Sequence, residues 1–294
     1  MPLFVFVSGY FSKNLEKRRK AAFKGLLIPY IVAQIVIGLT VLVTDRNVNL
    51  LRNPLFASYG TWYLVALYVW RSLMQDLLRL KKPMLLAVLA FFATPLFWGM
   101  DNTLGLQRTV GFFCFFLAGY YCSDKDIMKA IRISKALCIC VYLLEIVVFY
   151  ICFDVIGIPH GPVFLIFAHG YTISGELSQI PFIIGGYAIA FALAIFNSVL
   201  FINLFFTESD GKGVRYLSKV GEDTMPLYLT HLALIKGFAA LMRPLPDLVY
   251  WIMAVLVGDF FIIGLSSAKY REMFHKAMHK IVVIVSSPEL LASD

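Results

Sequence analysis

Residues 26–44 read LLIPYIVAQIVIGLTVLVT, an apolar stretch without a charged side chain. A helix rises about 1.5 Å per residue, so this stretch is long enough to cross the hydrocarbon core of a bilayer. A basic run lies directly before it, in residues 12–25. Residues 1–11, MPLFVFVSGYF, read as the second half of another membrane helix, because they cover only about half of that core. We therefore expect a membrane protein whose natural start lies upstream of Met1.

The composition excludes an ordinary soluble protein. Of the 294 residues, 60% are hydrophobic and 15% are charged, whereas a soluble domain has about 25% charged residues. The net charge of +8 lies in short connections between apolar stretches, which is typical of membrane topology and does not indicate a nucleic-acid partner. The sequence predicts an all-α, polytopic bundle of transmembrane helices in contact with membrane lipid.

Apolar stretches follow one another along the chain and predict about nine spans. After the partial stretch 1–11 they lie at about 26–44, 61–78, 84–98, 108–122, 136–153, 180–206, 225–243 and 248–268. Together they form a predicted transmembrane domain over residues 1–268. The connections on the side of residues 12–25 contain 20 of the 26 Lys and Arg residues. Since such residues are retained in the cytoplasm, this side is predicted to be cytoplasmic, and the C-terminus with it.

Two segments outside the spans have patterns of their own. Residues 154–179 are interpreted as a long outer loop with a re-entrant or interfacial piece, or as a loop packed over the bundle. The tail, residues 269–294, mixes basic and apolar residues and predicts an amphipathic helix on the cytoplasmic leaflet. His275 and His279 have the spacing of a metal pair, but the surrounding basic face and the lack of an acidic neighbour favour a solvated surface and no metal.

Ionisable residues inside lipid spans are costly, so they indicate functional sites or structural pairs. We predict a salt bridge between Lys236 and Asp259 on consecutive antiparallel spans, and a weaker pair between Arg71 and Glu145 near mid-membrane. His231, about 10 Å below the cytoplasmic face, has the chemistry of a proton-transfer group. It has equally the chemistry of a packing group that bonds a backbone carbonyl.

Aromatic and cysteine residues have plain interpretations. Tyr59, Trp62 and Tyr63 are predicted at the outer boundary, where aromatic belts are common. Arg108, just inside that boundary, is expected to snorkel or to bind a polar acceptor. The five cysteines indicate neither a disulfide framework nor a metal site. The sequence contains no motif of a nucleophile elbow, a phosphate-binding loop or a zinc protease.

Five strings come in the order and spacing of one known family. They are MPLFVFVSGYF at 1–11, LLIPY at 26–30, GTWYLVALYVWR at 60–71, RTVGFFCFFLAGYY at 108–121 and VGEDTMPLYLTH at 220–231. With these strings the chain resembles the acyltransferase-3 family of membrane proteins, and within it the fucose 4-O-acetylase-related group. The resemblance covers most of the chain and implies about ten helices, of which the first is absent from these residues.

The resemblance implies a reaction and its partners. Such proteins move an acyl group, usually acetyl from acetyl-CoA, onto a hydroxyl of a small-molecule or lipid-linked envelope carbohydrate in the bacterial inner membrane. Acyl-CoA is a cosubstrate, and no bound cofactor is implied. The predicted roles are CoA binding by Arg18, Arg19, Lys20 and Lys24, and acceptor binding by Arg71, Trp62 and Arg108, with His231 as a weak catalytic candidate.

The chain departs from the family pattern in two places. The family's general base is a histidine that closes the first helix, and these residues contain no counterpart of it. The arginines of an R-x-x-R element fall on Ala22 and Gly25, although an alignment shifted by a few residues restores a basic pair. An acyltransferase with impaired activity is therefore predicted. The alternatives are a transporter or flippase for a polar envelope component, and a non-catalytic remnant.

Overall fold

The chain is all-α wherever this computed structural model describes it, namely in residues 1–53, 55–57, 60–96, 103–155, 180–207, 211–242 and 244–286, which contain no β-strand. The α-helices are α1 Pro2–Tyr10, α2 Leu15–Ala22, α3 Ile28–Asp45, α4 Asn49–Arg52, α5 Trp62–Leu77, α6 Pro83–Ala93, α7 Leu106–Tyr121, α8 Asp124–Ala130, α9 Lys135–Tyr150, α10 Ile180–Phe205, α11 Lys212–Glu222, α12 Met225–Met242, α13 Asp247–Leu265 and α14 Ala268–Val285. A helix lies at each of the nine predicted spans, and the predicted all-α class is confirmed.

Length and hydropathy single out the helices that can cross a bilayer. Among the described residues three helices qualify, namely Leu15–Asp45, Ile183–Phe205 and Met225–Met242, and up to five qualify if each of two bent pairs is one span. The first bent pair is α8 with α9, at 74°, and the second ends in α14, at 69°. Shorter helices, such as α5 and α7 with 16 residues each, fall below the limit. The total of nine crossings stays a prediction.

The chain divides into two compact units. The first unit contains Met1–Arg18 and Val69–Glu208, and the second contains Arg19–Tyr68 and Ser209–Asp294. Both units are built from segments that are distant in the sequence, and the transmembrane domain over residues 1–268 stays a prediction.

The first unit is organised around the close packing of α1 on α7. Gly9 lies against the Phe116 carbonyl and Gly119 against the Phe6 carbonyl, so the two helices approach without side chains between them. Their last residues also meet, because Tyr10 donates a hydrogen bond to Asp124 and Lys13 Nζ donates to the Cys122 carbonyl oxygen at 2.7 Å. The connections after α1 and after α7 are therefore neighbours on one side, as their shared basic character predicts.

A capping box begins α8 in the connection after α7. The Ser123 hydroxyl donates to Asp126 Oδ2 at 2.6 Å, and the Ser123 backbone N–H donates to the same oxygen at 3.0 Å. The hydrogen bonds from Ser123 lower the pKa of the Asp126 carboxyl below its ordinary value. The carboxylate form therefore favours the cap, and we expect the cap to weaken as the pH falls through the lowered pKa.

The second unit packs α3 against α12, and the connection after α3, which contains the short helix α4, returns along α3. Leu51 in α4 lies against Gly38, and the Phe56 carbonyl oxygen accepts a hydrogen bond from Gln34. Gln34 lies eleven residues before Asp45 in α3, which corresponds to about 16 Å along the helix axis. The connection after α3 thus re-enters the helical layer before α5 begins, since irregular backbone is tolerated at such depth only where protein covers it.

Apolar side chains are exposed on the outer faces of the long helices. On α13, for example, Val255, Phe260 and Ile263 are 61%, 72% and 68% exposed, which is the pattern of a helix face in contact with lipid. The predicted tail helix is present as α14. Residues 287–294, the end of the predicted tail, lie outside the described part. The predicted outer loop at 154–179 also lies outside the described residues, apart from its first two.

Candidate functional site

A buried polar cluster lies in the second unit between α3 and the start of α5. Thr61 is fully buried and Gln34 is 5% exposed. The Thr61 hydroxyl donates to Gln34 Oε1 at 3.1 Å, while Gln34 Nε2 donates to the Phe56 carbonyl oxygen. One glutamine side chain therefore binds the connection at two points, Phe56 and Thr61. A buried polar group costs free energy unless it is hydrogen-bonded, so this cluster holds the connection in place.

Tyr228 of α12 fixes the same connection from the other side. Its hydroxyl donates to the Gly60 carbonyl oxygen at 2.5 Å. Its ring packs edge to face on Tyr63, at 5.8 Å between centroids, and lies 5.8 Å from the ring of His231. Residues from α3, α5 and α12 thus surround residues 60–63 within one unit.

His231 makes the backbone contact that the sequence allowed. Its Nδ1 lies 2.9 Å from the Leu227 carbonyl oxygen, one turn earlier in α12. A carbonyl oxygen only accepts, so Nδ1 is the donor in this contact. His231 is thus oriented as a packing group. Its catalytic role stays a prediction.

The predicted aromatic belt is wrong for Trp62 and Tyr63. Both side chains are buried, at 3% and 4% exposure, and their rings pack edge to face. The reason is the re-entrant connection, which carries the start of α5 to the level of Gln34 instead of the outer boundary. Tyr59 lies outside the described residues. A buried Trp62 is compatible with acceptor binding, and that role stays a prediction.

The predicted salt bridge between Lys236 and Asp259 is wrong. Lys236 Nζ lies 2.8 Å from Asp45 Oδ2 at the end of α3, while Asp259 is exposed on α13. The prediction rested on depth along the helices, and depth does not specify which neighbour a helix face meets. Lys236 faces α3, where Gly237 also approaches Thr40.

We expect Lys236→Met to lower the free energy of unfolding by about 2 kcal/mol, because it leaves the Asp45 carboxylate without this cation in a partly buried site. Both side chains of the pair are 24% exposed. Asp259→Asn is the matched control, since it removes an exposed charge, and its expected effect is below about 0.5 kcal/mol. Reversible denaturation of the purified protein in mixed micelles measures both. A larger effect of Asp259→Asn would contradict the observed pairing.

The predicted pair of Arg71 with Glu145 is also wrong. Arg71 Nε donates to the Ser12 hydroxyl at 3.4 Å, whereas Glu145 Oε1 accepts from Asn197 Nδ2 at 3.2 Å. Ser12 follows the end of α1, so Arg71 lies level with that end and not at mid-membrane. The physical reason is packing, because Arg71 and Glu145 lie on helix faces that meet different neighbours, Ser12 after α1 and Asn197 in α10.

Arg108 lies in the first turn of α7 in the first unit, next to polar residues. The neighbouring Gln107 donates from Nε2 to the Thr94 carbonyl oxygen at 3.3 Å. On its other side the Thr109 carbonyl oxygen accepts from Trp70 Nε1 at 2.8 Å. Arg108 itself is half-buried. Trp70 and Gln107 are therefore structural groups beside it, and its acceptor-binding role stays a prediction.

The predicted CoA-binding residues lie on one continuous helix. Arg18, Arg19 and Lys20 are in α2, where Arg19 and Lys20 are exposed and Arg18 is half-buried. Lys24 lies in the π-helical turn Phe23–Leu27 that joins α2 to α3, and its Nζ is shielded from solvent. Successive helical residues point about 100° apart, so Arg19 and Lys20 present their charges over a broad surface. Their role stays a prediction.

His275 in the tail has an acidic partner that the sequence analysis does not predict. His275 Nε2 lies 2.6 Å from Asp223 Oδ2, a residue from the end of α11 that is 52 positions earlier. Local sequence could not show this contact. In the described part of the chain no group of three or more His, Cys, Asp and Glu side chains is arranged for a metal, and the five cysteines are free thiols.

Sequence reasoning also missed Gln34, Thr61 and Tyr228. The sequence does mark Gln34, because it is the one side-chain amide in the uncharged apolar stretch 26–44. A lone amide in a lipid span needs a hydrogen-bond partner. Thr61 and Tyr228 carry no such signal, since both residue types are ordinary near helix ends.

Comparison with known proteins gives one match. The model of a protein family described as an acyltransferase domain matches residues 1–271. No curated protein and no solved structure matches the chain.

Proposed function

This chain belongs to the acyltransferase-3 family, since the family match covers most of its length, and we propose that it is an O-acyltransferase that uses acyl-CoA. The proposed acceptor is a hydroxyl of an envelope carbohydrate, as in the fucose 4-O-acetylase-related group, in a bacterial inner membrane. The family match is the observation that carries this proposal. The basic residues of α2 support it, because CoA carries several phosphate charges and Arg19 and Lys20 are exposed to solvent.

The proposed reaction transfers an acyl group from the thioester sulfur of acyl-CoA to the hydroxyl oxygen of the acceptor. The acceptor hydroxyl oxygen attacks the thioester carbon, a C–O bond forms, and the C–S bond breaks to release CoA thiol. The hydroxyl proton passes to a base and then to the sulfur, so no oxidant or reductant is needed. In the described residues His231 Nε2 is a candidate base. The proposed acceptor-binding residues are Arg71, Trp62 and Arg108. Each is proposed by itself.

Binding of acetyl-CoA to the purified chain in nanodiscs tests the donor. We expect an Arg19→Gln, Lys20→Gln double variant to bind about 30-fold more weakly, because each of the two charge-assisted phosphate contacts contributes on the order of 1 kcal/mol. The matched control is Lys81→Gln with Lys82→Gln, which removes two exposed cations from another basic connection. Isothermal titration gives both affinities.

Three outcomes would count against this proposal in different ways. Equal weakening by both double variants would show non-specific attraction instead of a CoA site. No binding by the wild-type chain would remove the acyl-CoA donor and favour the transporter. Binding that is insensitive to Arg19 and Lys20 would move the donor site elsewhere.

Transfer itself is tested with radiolabelled acetyl-CoA and a set of envelope sugars. We propose that the wild-type chain transfers the labelled acetyl group to a hydroxyl of at least one of these sugars. If the chain binds acetyl-CoA but acylates no hydroxyl, the proposed reaction is wrong although the donor is right.

A further inference from the structure

Helix α11, Lys212–Glu222, has two opposite faces. Tyr216, Leu217 and Val220 share one side of the helix, whereas Lys212, Arg215 and Lys219 share the other. No residue of this helix is buried. An eleven-residue helix with such faces is marginal in water by itself, because isolated short helices need a packed apolar side.

The apolar side of α11 is uncovered in the described structure. Leu217 is 68% exposed and Tyr216 is 49% exposed. In a soluble protein this side would be packed on a core. In a chain with membrane-spanning helices on either side in sequence, α10 and α12, the available apolar medium is the bilayer itself.

Polar contacts at its C-terminal end fix α11 beside α14. Arg271 Nη1 donates to the Lys219 carbonyl oxygen at 2.6 Å, and His275 contacts Asp223 at 2.6 Å. These contacts use the backbone and the residue after α11, so they leave its apolar side uncovered. On α14 the three lysines 269, 276 and 280 are exposed together with Met273, which continues the basic and apolar character of the surface.

We propose that α11 is an interfacial helix that binds anionic phospholipid. Tyr216, Leu217 and Val220 insert among the acyl chains near the surface, and Lys212 and Lys219 contact the lipid phosphates. Charge complementarity selects this occupant, because a cationic face beside an inserted apolar face matches an anionic headgroup layer. The inference concerns a surface outside the predicted CoA-binding residues, so it stands independently of the proposed acyl transfer.

Quenching by brominated lipid tests the insertion. The full chain, with Cys122, Cys140 and Cys152 replaced by Ser, receives Leu217→Cys with a bimane label, or Ser218→Cys as the matched control. Ser218 lies on the polar side next to Leu217. We expect brominated acyl chains to quench the label at 217 strongly and the label at 218 weakly. Equal quenching, or quenching of 217 by iodide in the water phase, would overturn the insertion.

Headgroup selectivity tests the charge. With the label at 217, we expect brominated phosphatidylglycerol to be preferred over brominated phosphatidylcholine by about 25-fold, since each lysine near an anionic surface contributes roughly 5-fold. Lys212→Gln with Lys219→Gln is expected to lower the preference strongly, although Arg215 remains on the basic side, and to keep the quenching. An unchanged preference would overturn the anionic assignment. A label displaced by acetyl-CoA or by a protein partner in neutral bilayers would assign the surface to that ligand instead.

Discussion

Gly119→Ala is expected to lower the free energy of unfolding by about 3 kcal/mol, a large fraction of the stability of most proteins. A Cβ atom at this position would overlap the Phe6 carbonyl oxygen and would lie 2.8 Å from its carbon and 2.9 Å from the Tyr10 nitrogen. All three atoms are backbone and cannot rotate away. Gly9→Ala should have a similar effect, because its Cβ would overlap the Phe116 carbonyl oxygen.

The expected cost arises from separating α1 and α7. Without glycine the helices must move apart, and they then lose the dispersion contacts along their whole crossing, which are the main attraction between helices in lipid. The bonds from Tyr10 to Asp124 and from Lys13 to Cys122 lie just beyond that crossing. They should weaken with it, so α8 should also lose order.

Gly185→Ala is the matched control for both glycines. Gly185 is in α10 of the same unit, is exposed, and would place a new Cβ with nothing within 4 Å. Because alanine favours helix more than glycine does, this variant should be unchanged or more stable by about 0.5 kcal/mol. Reversible denaturation in mixed micelles compares the three. If Gly119→Ala is as stable as Gly185→Ala, the close crossing is wrong.

Asn203→Leu should also cost about 3 kcal/mol, because one buried amide holds the break between α8 and α9. Asn203 is 3% exposed. Its Oδ1 accepts from the backbone N–H groups of Arg132 and Ile133, both at 2.8 Å, and its Nδ2 donates to the Ala130 carbonyl oxygen at 3.0 Å. Leucine has a similar size but leaves all three backbone groups without this partner.

Hydrogen exchange makes the Asn203 prediction specific to its location. The amides of Arg132 and Ile133 should exchange faster in Asn203→Leu, while amides in the middle of α9 should be less affected. Ser198→Ala on the same helix is the control, since its hydroxyl bonds only the Ala194 carbonyl oxygen one turn earlier, and we expect less than about 0.5 kcal/mol. Global loss of protection without a local change at Arg132 would contradict the assigned role.

The re-entrant connection before α5 has the largest consequence for interpreting the sequence. Residues 61–78 are predicted to form a span that starts at the outer boundary. The bonds of Gln34 and Tyr228 to the connection place the start of this helix deeper within the second unit. This deeper start explains why Trp62 and Tyr63 are buried.

Hydropathy and charge were sufficient to locate the helices, the basic connections and the amphipathic tail. Each of these properties is local: an uncharged apolar run such as 26–44 must form its hydrogen bonds internally, and a lysine-rich connection is costly to move across lipid. The five strings are also local, and they were sufficient to identify the family, which the match to residues 1–271 confirmed.

The partners of the polar side chains depended on packing between distant segments. Lys236 pairs with Asp45 and not with Asp259, His275 with Asp223, and Glu145 with Asn197. A helix presents each side chain in one direction, but which helix lies in that direction is set by the contacts of the whole bundle, such as the glycine crossing of α1 with α7. The position of a residue along its own helix can be counted from the sequence. The helix that its side chain meets depends on how the neighbouring helices pack.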